Sequence, residues 1–290
     1  MLTSRPPVDL LVVGGLTIDR FGTSRRAGGA ARYASLAAAM RGHEVALITS
    51  SGEEREVAGL KRRLRSRVRL AARSESGHSI TFEHQEADAG RRLRLLHRGP
   101  AISLPRTLPV EPRAVLVAPV LGEVDPSTVA RLRTETAGAV VGAGLQGWLR
   151  SLEERAVVEP VTLASLDAVL RTEVGTLDVL VASAEDLLAD ASDAEMALAA
   201  LRAWIGSGPM LVVTAGPDGA WLDEGNGARW RQPAPAVVEA AENVGAGDAF
   251  AALLLVSLGG GQRLRTAAEL ASGVVAELLA ARQAAARPAW

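Results

Sequence analysis

The sequence has 290 residues, a net charge of −1 and 48% hydrophobic residues, which is enough chain to bury one large core without disulfides. The near-neutral charge argues against a dedicated nucleic-acid-binding protein. Cysteine is absent, which excludes disulfides, thiolate metal sites and a cysteine nucleophile and fits the reducing cytoplasm, where we expect the protein to act.

Short apolar runs alternate with segments of helical spacing along the whole chain. This alternation predicts a parallel sheet covered by helices on both faces. The longest apolar stretches, such as 249–258, are too short to span a bilayer, so no membrane association is expected. The predicted strands are 10–13, 44–49, 114–118, 139–141, 179–182 and 211–214, and the predicted helices are 30–41, 53–65, 125–134, 194–205, 248–258 and 266–285.

One region departs from this alternation. Residues 79–85 and 92–97 alternate polar with apolar side chains, and the turn-forming segment 86–90 separates them. The pattern predicts a β-hairpin that projects from the main sheet, either as a lid over a small-molecule site or as an ordinary edge hairpin. His84 and His97 could face each other across it, but without a third ligand a polar lid surface is favoured over a metal site.

Two further motifs argue against common nucleotide sites. Lys61 is the only lysine, so a P-loop is excluded, and the basic stretch 61–69 around it is typical of an exposed helix face. Residues 142–147 fit Gly-x-Gly-x-x-Gly. No acidic residue ends a second strand about 20 residues later, which disfavours a dinucleotide site.

The most informative segment is Gly245-Ala246-Gly247-Asp248, a glycine-rich turn that leads directly into an apolar helix. The free amides of its first three residues and the helix dipole predict an anion site. The Asp248 carboxylate could serve a ligand there, or it could be an ordinary stabiliser of the helix N-terminus. The spacing alone leaves both interpretations open.

This segment, followed by Ala-Phe, resembles the Gly-Ala-Gly-Asp element of the ribokinase/PfkB family of carbohydrate kinases. Residues 12–19 resemble that family's first strand with its substrate-binding aspartate, 28–34 its Gly-Gly motif, and 214–220 its nucleotide-side turn. The resemblance implies a ribokinase-like three-layer α/β/α sandwich with a mostly parallel central sheet. It also implies one domain over 1–290, with a small β-lid contributed by about 17–28 and 78–98.

The resemblance further implies ATP-dependent transfer of the γ-phosphoryl group to a hydroxyl of a sugar, polyol or nucleoside. Asp248 would be the base, and the amides of Gly245, Ala246 and Gly247 would neutralise the developing charge. Mg²⁺ would be supported through water by Asp186. The substrate residues would be Asp19, Gly28, Gly29, Arg32, Tyr33, Gln146 and Arg150, and the nucleotide residues Thr214, Gly216, Gly219, Asn243 and Ser272.

The sequence departs from the family pattern at several positions. Tyr33 replaces a common asparagine and, together with 119–124 and 145–150, indicates an inositol-kinase-like branch. The segment 242–244 replaces Asp-Thr-Thr, so a monovalent-cation site stays open, and 183–186 replaces Asn-x-x-Glu. The alternative function is therefore a catalytically degenerate member that binds a small ligand without phosphorylating it. With either function, we expect a monomer or a homodimer.

Overall fold

The computed structural model describes residues 5–75, 77–87, 90–235 and 243–284. The helices are α1 Ala30–Met40, α2 Arg55–Leu64, α3 Pro126–Glu135, α4 Ala168–Gly175, α5 Ala194–Ile205, α6 Ala246–Gly259 and α7 Leu264–Ala284. The strands are β1 Pro7–Val13, β2 Thr17–Phe21, β3 Ser24–Gly28, β4 Val45–Ser51, β5 Arg69–Glu75, β6 Ile80–Ala87, β7 Gly90–His97, β8 Glu111–Val117, β9 Val140–Gly144, β10 Val179–Ser183, β11 Met210–Thr214, β12 Ala220–Asp223 and β13 Arg229–Gln232.

The main sheet has nine strands in the order β13-β12-β11-β10-β9-β8-β1-β4-β5. Among the described strands of this sheet, the seven from β11 to β5 in that order pair in parallel. The β11–β12 and β12–β13 pairs at one edge are antiparallel. The predicted mostly parallel central sheet is confirmed. None of the described helices is both long and apolar enough to cross a bilayer.

Successive side chains of the central strands point to opposite faces and enter two separate cores. In β1, Leu10 and Val12 pack in a core with α1, α2, α6 and α7. Leu11 and Val13 pack in the other core with α3, α4 and α5. A strand buried on both faces needs apolar residues at every position, which explains the continuous apolar runs of the sequence. The predicted three-layer α/β/α arrangement is confirmed.

A second sheet of four strands, in the order β3-β2-β6-β7, lies beside the first. The predicted hairpin of β6 and β7 is present, but it belongs to this separate sheet, because β6 pairs in parallel with β2. The start of β6 is fixed by Glu54, whose carboxylate accepts hydrogen bonds from the Ser79 amide and hydroxyl, both at 2.7 Å. Burial raises the pKa of Glu54, but these hydrogen bonds outweigh it and hold the pKa below its ordinary value.

The basic stretch that begins at Lys61 only partly fits an exposed helix face. Arg62, Arg63, Arg65 and Arg67 are exposed. Lys61 is buried, and its ammonium forms an ion pair with Glu75 at the end of β5. The interpretation of Lys61 as a solvated residue is therefore wrong, because Lys61 lies on the buried side of α2 with Val57, Leu60 and Leu64.

A buried carboxylate, that of Glu123, joins the loops that follow β1 and β8. Its Oε1 accepts hydrogen bonds from the amides of Gly15 and Val120, both at 2.9 Å. Its Oε2 accepts from Val120 at 3.0 Å and from the Leu121 amide at 2.8 Å. Since the side chain has little access to water, three backbone donors depend on it for their hydrogen bonds.

Replacing Glu123 with glutamine should lower the free energy of unfolding by about 2–4 kcal/mol. The glutamine amide nitrogen cannot accept a hydrogen bond, so at least one buried backbone donor loses its partner. Urea denaturation followed by circular dichroism measures the change. The control is Glu277→Gln, which removes an exposed ion pair with Arg41 and should cost less than about 0.5 kcal/mol. Equal losses in both variants would contradict the role of Glu123.

Candidate active site

Parallel strands bring their carboxyl ends to the same end of the main sheet, which we call the carboxyl edge. The strands concerned are β1, β8, β9, β10 and β11. Ligands in open α/β sheets bind at this edge. The loop after β9 carries Gln146 and Arg150, and β10 ends at Ser183, just before Asp186. The sheet therefore brings together loops that are far apart in the sequence.

The helix α6 begins at the glycine-rich segment. Gly245 is its N-cap, with a left-handed backbone (φ 84°) and no side-chain capping hydrogen bond. Asp248 is the third residue of the helix and is half-buried. Its carboxylate takes no hydrogen bond from any residue that the structure describes. Hydrogen-bonded capping therefore does not account for Asp248, although the helix dipole still favours a carboxylate at this position.

The three amides predicted to form an anion site are not equivalent. The Ala246 amide donates to the Asn243 carbonyl at 3.1 Å, so the turn before the helix already uses this amide. Within the described ranges, the amides of Gly245, Gly247 and Asp248 have no protein acceptor. The anion site therefore retains two of its three predicted amides, with the Asp248 amide as an additional donor.

Opposing charges set the protonation of Asp248. The pKa of Asp248 is raised to about 6, mainly by burial. The Arg150 guanidinium lowers this pKa, and the Asp186 carboxylate raises it further. Arg150 lies within the electrostatic influence of Asp186, Asp248, Asp19 and Glu123, and burial holds its own pKa below the ordinary value. Its Nη1 donates to the Val120 carbonyl at 3.2 Å. One guanidinium thus stands among the carboxylates that the sequence assigned to substrate, metal and base.

Asp186 and Ser183 fix each other after β10. The amide and hydroxyl of Ser183 donate to Asp186 Oδ2 at 3.2 and 2.8 Å, and the Asp186 amide donates to Ser183 Oγ at 3.0 Å. Asp186 Oδ1 takes no hydrogen bond from the described residues. No group of three metal-ligating side chains occurs among them either. A carboxylate oxygen beside the Asp248 charge fits Mg²⁺, which protein sites hold by one or two carboxylates together with water and phosphate oxygens.

Asp19 lies in β2 and is buried. His84 Nε2 from the neighbouring β6 lies 3.2 Å from its Oδ1. A Cβ on Gly28 would come within 2.0 Å of its Oδ2. Gly29 has a positive φ of 104°, and a Cβ there would lie 2.5 Å from the Gly15 carbonyl oxygen. The two glycines are therefore required by the packing of Asp19 and of the start of α1.

Tyr33 joins α1 to the start of α6. A Cβ on Gly245 would lie 2.2 Å from the Tyr33 ring, so the ring packs directly on the glycine backbone. Arg282 in α7 donates from Nη1 to the Val244 carbonyl at 2.9 Å. The charges of Asp19 and Arg32 both reach the Tyr33 hydroxyl. The structure thus brings Asp19, Gly28, Arg32 and Tyr33 to the same region as Gly245.

The predicted nucleotide residues lie on three different elements. Thr214 ends β11, and Gly216 and Gly219 bound the turn that follows, both with positive φ. A Cβ on Gly219 would lie 2.0 Å from the Gln232 carbonyl oxygen, so the turn itself requires that glycine. Asn243 precedes α6, and Ser272 is half-buried in α7. No described contact joins these residues or Gln146 to Asp248, and Glu242 lies outside the described residues.

The structure explains two patterns of the sequence, namely the histidines of the predicted hairpin and the Gly-x-Gly-x-x-Gly match. His84 is 88% buried at its side chain (12% exposed) and stacks on Phe21, so its assignment to a polar lid surface is wrong. It does not face His97, which is exposed and stacks on His78. Residues 142–144 of the Gly-x-Gly-x-x-Gly match lie inside β9, and a turn rather than a helix follows the strand.

Three residues near the site were not identified from the sequence, namely Glu123, His84 as the neighbour of Asp19, and Arg282. Glu123 has a detectable signal, since it is a lone carboxylate within an apolar segment. Arg282 lies among the buried positions of α7, where a charged residue is unusual. The His84 contact depends on the parallel pairing of β2 with β6, which no local pattern indicates.

Comparisons with known proteins agree with this geometry. Residues 149–289 match the model of the pfkB family carbohydrate kinases. This match confirms the resemblance to that family and the predicted class of activity, a phosphotransferase that acts on a hydroxyl group. No curated protein sequence matches the chain.

Solved structures share the fold at low sequence identity. One is a pyrophosphate-dependent kinase of the ribokinase family, complexed with a pyrophosphate analogue and myo-inositol. It is 16% identical, with a TM-score of 0.71, over 92% of this chain and 93% of that one. Ribokinase from Arabidopsis thaliana with ribose and ATP is 16% identical, with a TM-score of 0.70, over 96% and 93%. Ribokinase from Cryptococcus neoformans with ADP is 21% identical, with a TM-score of 0.67, over 94% of each chain.

The contact of Tyr33 with Gly245 predicts a difference between two glycines only two residues apart. Gly245→Ala should lower the free energy of unfolding by about 1–3 kcal/mol, because φ is positive and the methyl group collides with the Tyr33 ring. Gly247→Ala should leave stability unchanged or raise it by up to about 1 kcal/mol, since its Cβ meets nothing within 4 Å. Urea denaturation of both variants measures the difference, and equal stability would contradict the packing described.

Proposed function

We propose that this protein is an ATP-dependent small-molecule kinase that phosphorylates a hydroxyl of a sugar, polyol or nucleoside. The observation that carries the proposal is the position of Asp248. Its carboxylate is half-buried, takes no hydrogen bond from the described residues, and stands beside unused backbone amides at a helix start. A pKa of about 6 leaves it ionised at neutral pH yet able to accept a proton.

In this mechanism Asp248 accepts the proton of the acceptor hydroxyl while that oxygen forms a bond to the γ-phosphorus. The bond between that phosphorus and the bridging oxygen breaks, and ADP leaves. The amides of Gly245 and Gly247 donate to the oxygens of the transferred group, where negative charge accumulates. Arg150 adds a positive charge to the same region and keeps Asp248 ionised.

Asp186 is the residue that would hold Mg²⁺, through water. The ion, when bound with the donor, would neutralise charge on the phosphate oxygens. Ser183 contributes by holding Asp186 Oδ2 through two hydrogen bonds, and Oδ1 takes no hydrogen bond from the described residues. On the acceptor side, Asp19 would accept hydrogen bonds from substrate hydroxyls beneath the second sheet, which we propose as the lid.

The decisive variant is Asp248→Asn. Loss of the base should reduce turnover by about 10²–10⁴, while nucleotide affinity changes little, because an amide keeps the shape but cannot take the proton. Turnover is measured by ³¹P NMR with ATP or pyrophosphate as donor and a panel of sugars, inositols and nucleosides as acceptors, and nucleotide affinity by calorimetry.

The matched control is Asp125→Asn, at the N-cap of α3, where asparagine caps as well as aspartate. Its turnover should equal that of the wild type. Normal turnover in Asp248→Asn would overturn the assignment of the base. Ligand binding without phosphoryl transfer to any acceptor would instead favour the degenerate, binding-only alternative.

The pH profile gives a second, independent check. Since only the ionised carboxylate accepts a proton, kcat/KM should fall about tenfold per pH unit below about pH 6. Replacing Arg150 with glutamine removes a charge that lowers the pKa of Asp248, so the acidic limb should move to higher pH. The pH at which kcat/KM begins to fall reports the change in the pKa of Asp248, whatever the overall loss of rate in the variant. An unmoved limb would contradict the electrostatic role of Arg150.

A further inference from the structure

Arg32 is a charged group that the mechanism above does not use. It lies in the first turn of α1, directly after Gly28 and Gly29. Its Nη1 donates to the Ala27 carbonyl at 2.8 Å and lies 3.4 Å from the Tyr33 hydroxyl. Its Nε is shielded from solvent and has no hydrogen-bond partner in the described part of the chain.

The surroundings of Arg32 are unfavourable for a cation. No described carboxylate forms an ion pair with it. Burial lowers the pKa of Arg32, and the nearby charges of Arg63, Arg26 and Arg282 lower it further, with only Tyr33 acting in the opposite sense. The first turn of α1 contains no acidic residue, and the helix dipole there also disfavours positive charge.

Arg32 is half-buried. A cation whose Nε is shielded from water and that has no anionic partner among the described residues costs free energy, and the fold does not require one at this position. The hydrogen bond to Ala27 could be made by a neutral amide. Such costly charges concentrate where a ligand supplies the missing partner. Arg32 stands next to Tyr33, whose ring covers Gly245 and whose hydroxyl is within reach of the Asp19 charge. This places Arg32 on the acceptor side of the site.

We infer that the acceptor carries an anionic oxygen group, a carboxylate or a phosphate, and that the Arg32 guanidinium binds it. This inference rests on the proposed kinase function and narrows its substrate class to sugar acids and phosphorylated sugars or polyols. A guanidinium offers two parallel N–H donors to either group. Binding of such a group would explain why the first turn of α1 contains an arginine, although the helix dipole disfavours positive charge there. The hydroxyl to be phosphorylated lies elsewhere on the same acceptor.

The test is calorimetric binding to the full chain with matched pairs of ligands. The pairs are D-gluconate with D-glucose, D-galactonate with D-galactose, D-ribose 5-phosphate with D-ribose, and myo-inositol 1-phosphate with myo-inositol. The best-bound ligand should be anionic and should bind at least about tenfold more tightly than its neutral partner. Arg32→Gln should abolish this preference. Arg32→Lys should keep part of it, because lysine retains the positive charge but lacks the two parallel N–H donors of the guanidinium.

The control is Arg41→Gln, which removes the same charge from the other end of α1, where Arg41 is exposed and paired with Glu277 at 3.0 Å. It should retain the full preference. If Arg32→Gln does not fold, the Arg32→Lys variant and the salt dependence of wild-type binding decide, since binding of an anion by a cation weakens as salt rises. Wild-type affinity independent of salt would then count against the inference.

Three results would overturn the inference. The first is a neutral ligand as the best-bound member of the panel, or no binding of any anionic member. The second is an unchanged preference in Arg32→Gln. The third is weaker binding of ATP, pyrophosphate or inorganic phosphate, rather than of the acceptor, in that variant, which would assign Arg32 to the donor.

The same measurements separate this inference from the proposed function. Phosphorylation of neutral acceptors by the wild type, with no preference for acids, would leave the kinase function intact and remove the inference. Anion binding that depends on Arg32, without phosphoryl transfer from any donor, would remove the kinase function and leave only an anion-binding site at Arg32.

Discussion

The hydrogen bonds of the Glu123 carboxylate hold the site together, because they fix the loops after two neighbouring strands, β1 and β8, to one another. Gly15, one of the donors, cannot carry a side chain, since a Cβ would lie 2.9 Å from the carboxylate. The Gly15 carbonyl in turn packs on Gly29, which starts α1, and Tyr33 in α1 packs on Gly245, which starts α6. A single series of close contacts thus runs from this carboxylate to the segment that carries Asp248.

Charge at the site is concentrated rather than dispersed. Arg150 stands among four carboxylates, those of Asp186, Asp248, Asp19 and Glu123, and is itself half-buried. In such surroundings a charge costs free energy unless another charge offsets it. Burial is the largest influence on the pKa of Asp248 and raises it, and the Arg150 charge partly offsets that effect. On the opposite side, beside Tyr33, the Arg32 guanidinium forms no ion pair with any carboxylate of the described residues. The proposed acceptor and donor ends of the site therefore differ in charge.

The sequence was sufficient for the layers of the fold and for the region of the site, because both leave local patterns. Continuous apolar runs identify strands buried on both faces, and the glycine-rich segment identifies the start of α6, where we propose that a phosphate binds. What the sequence could not predict depends on pairing between distant segments. The His84 contact with Asp19, the burial of Lys61 against Glu75 and the use of the Ala246 amide by Asn243 all follow from positions that only the folded chain defines.

The site draws its parts from both ends of the chain, with Asp19 in β2 and Asp248 and Arg282 in the last two described helices. A growing polypeptide therefore cannot assemble it until α6 has docked between α1 and the sheet and α7 has secured the Val244 carbonyl through Arg282. Contacts between segments this far apart form slowly, because long loops must close first. A bound ligand would bridge early and late portions of the polypeptide, and so would protect the entire domain, rather than one loop, against thermal unfolding and protease attack.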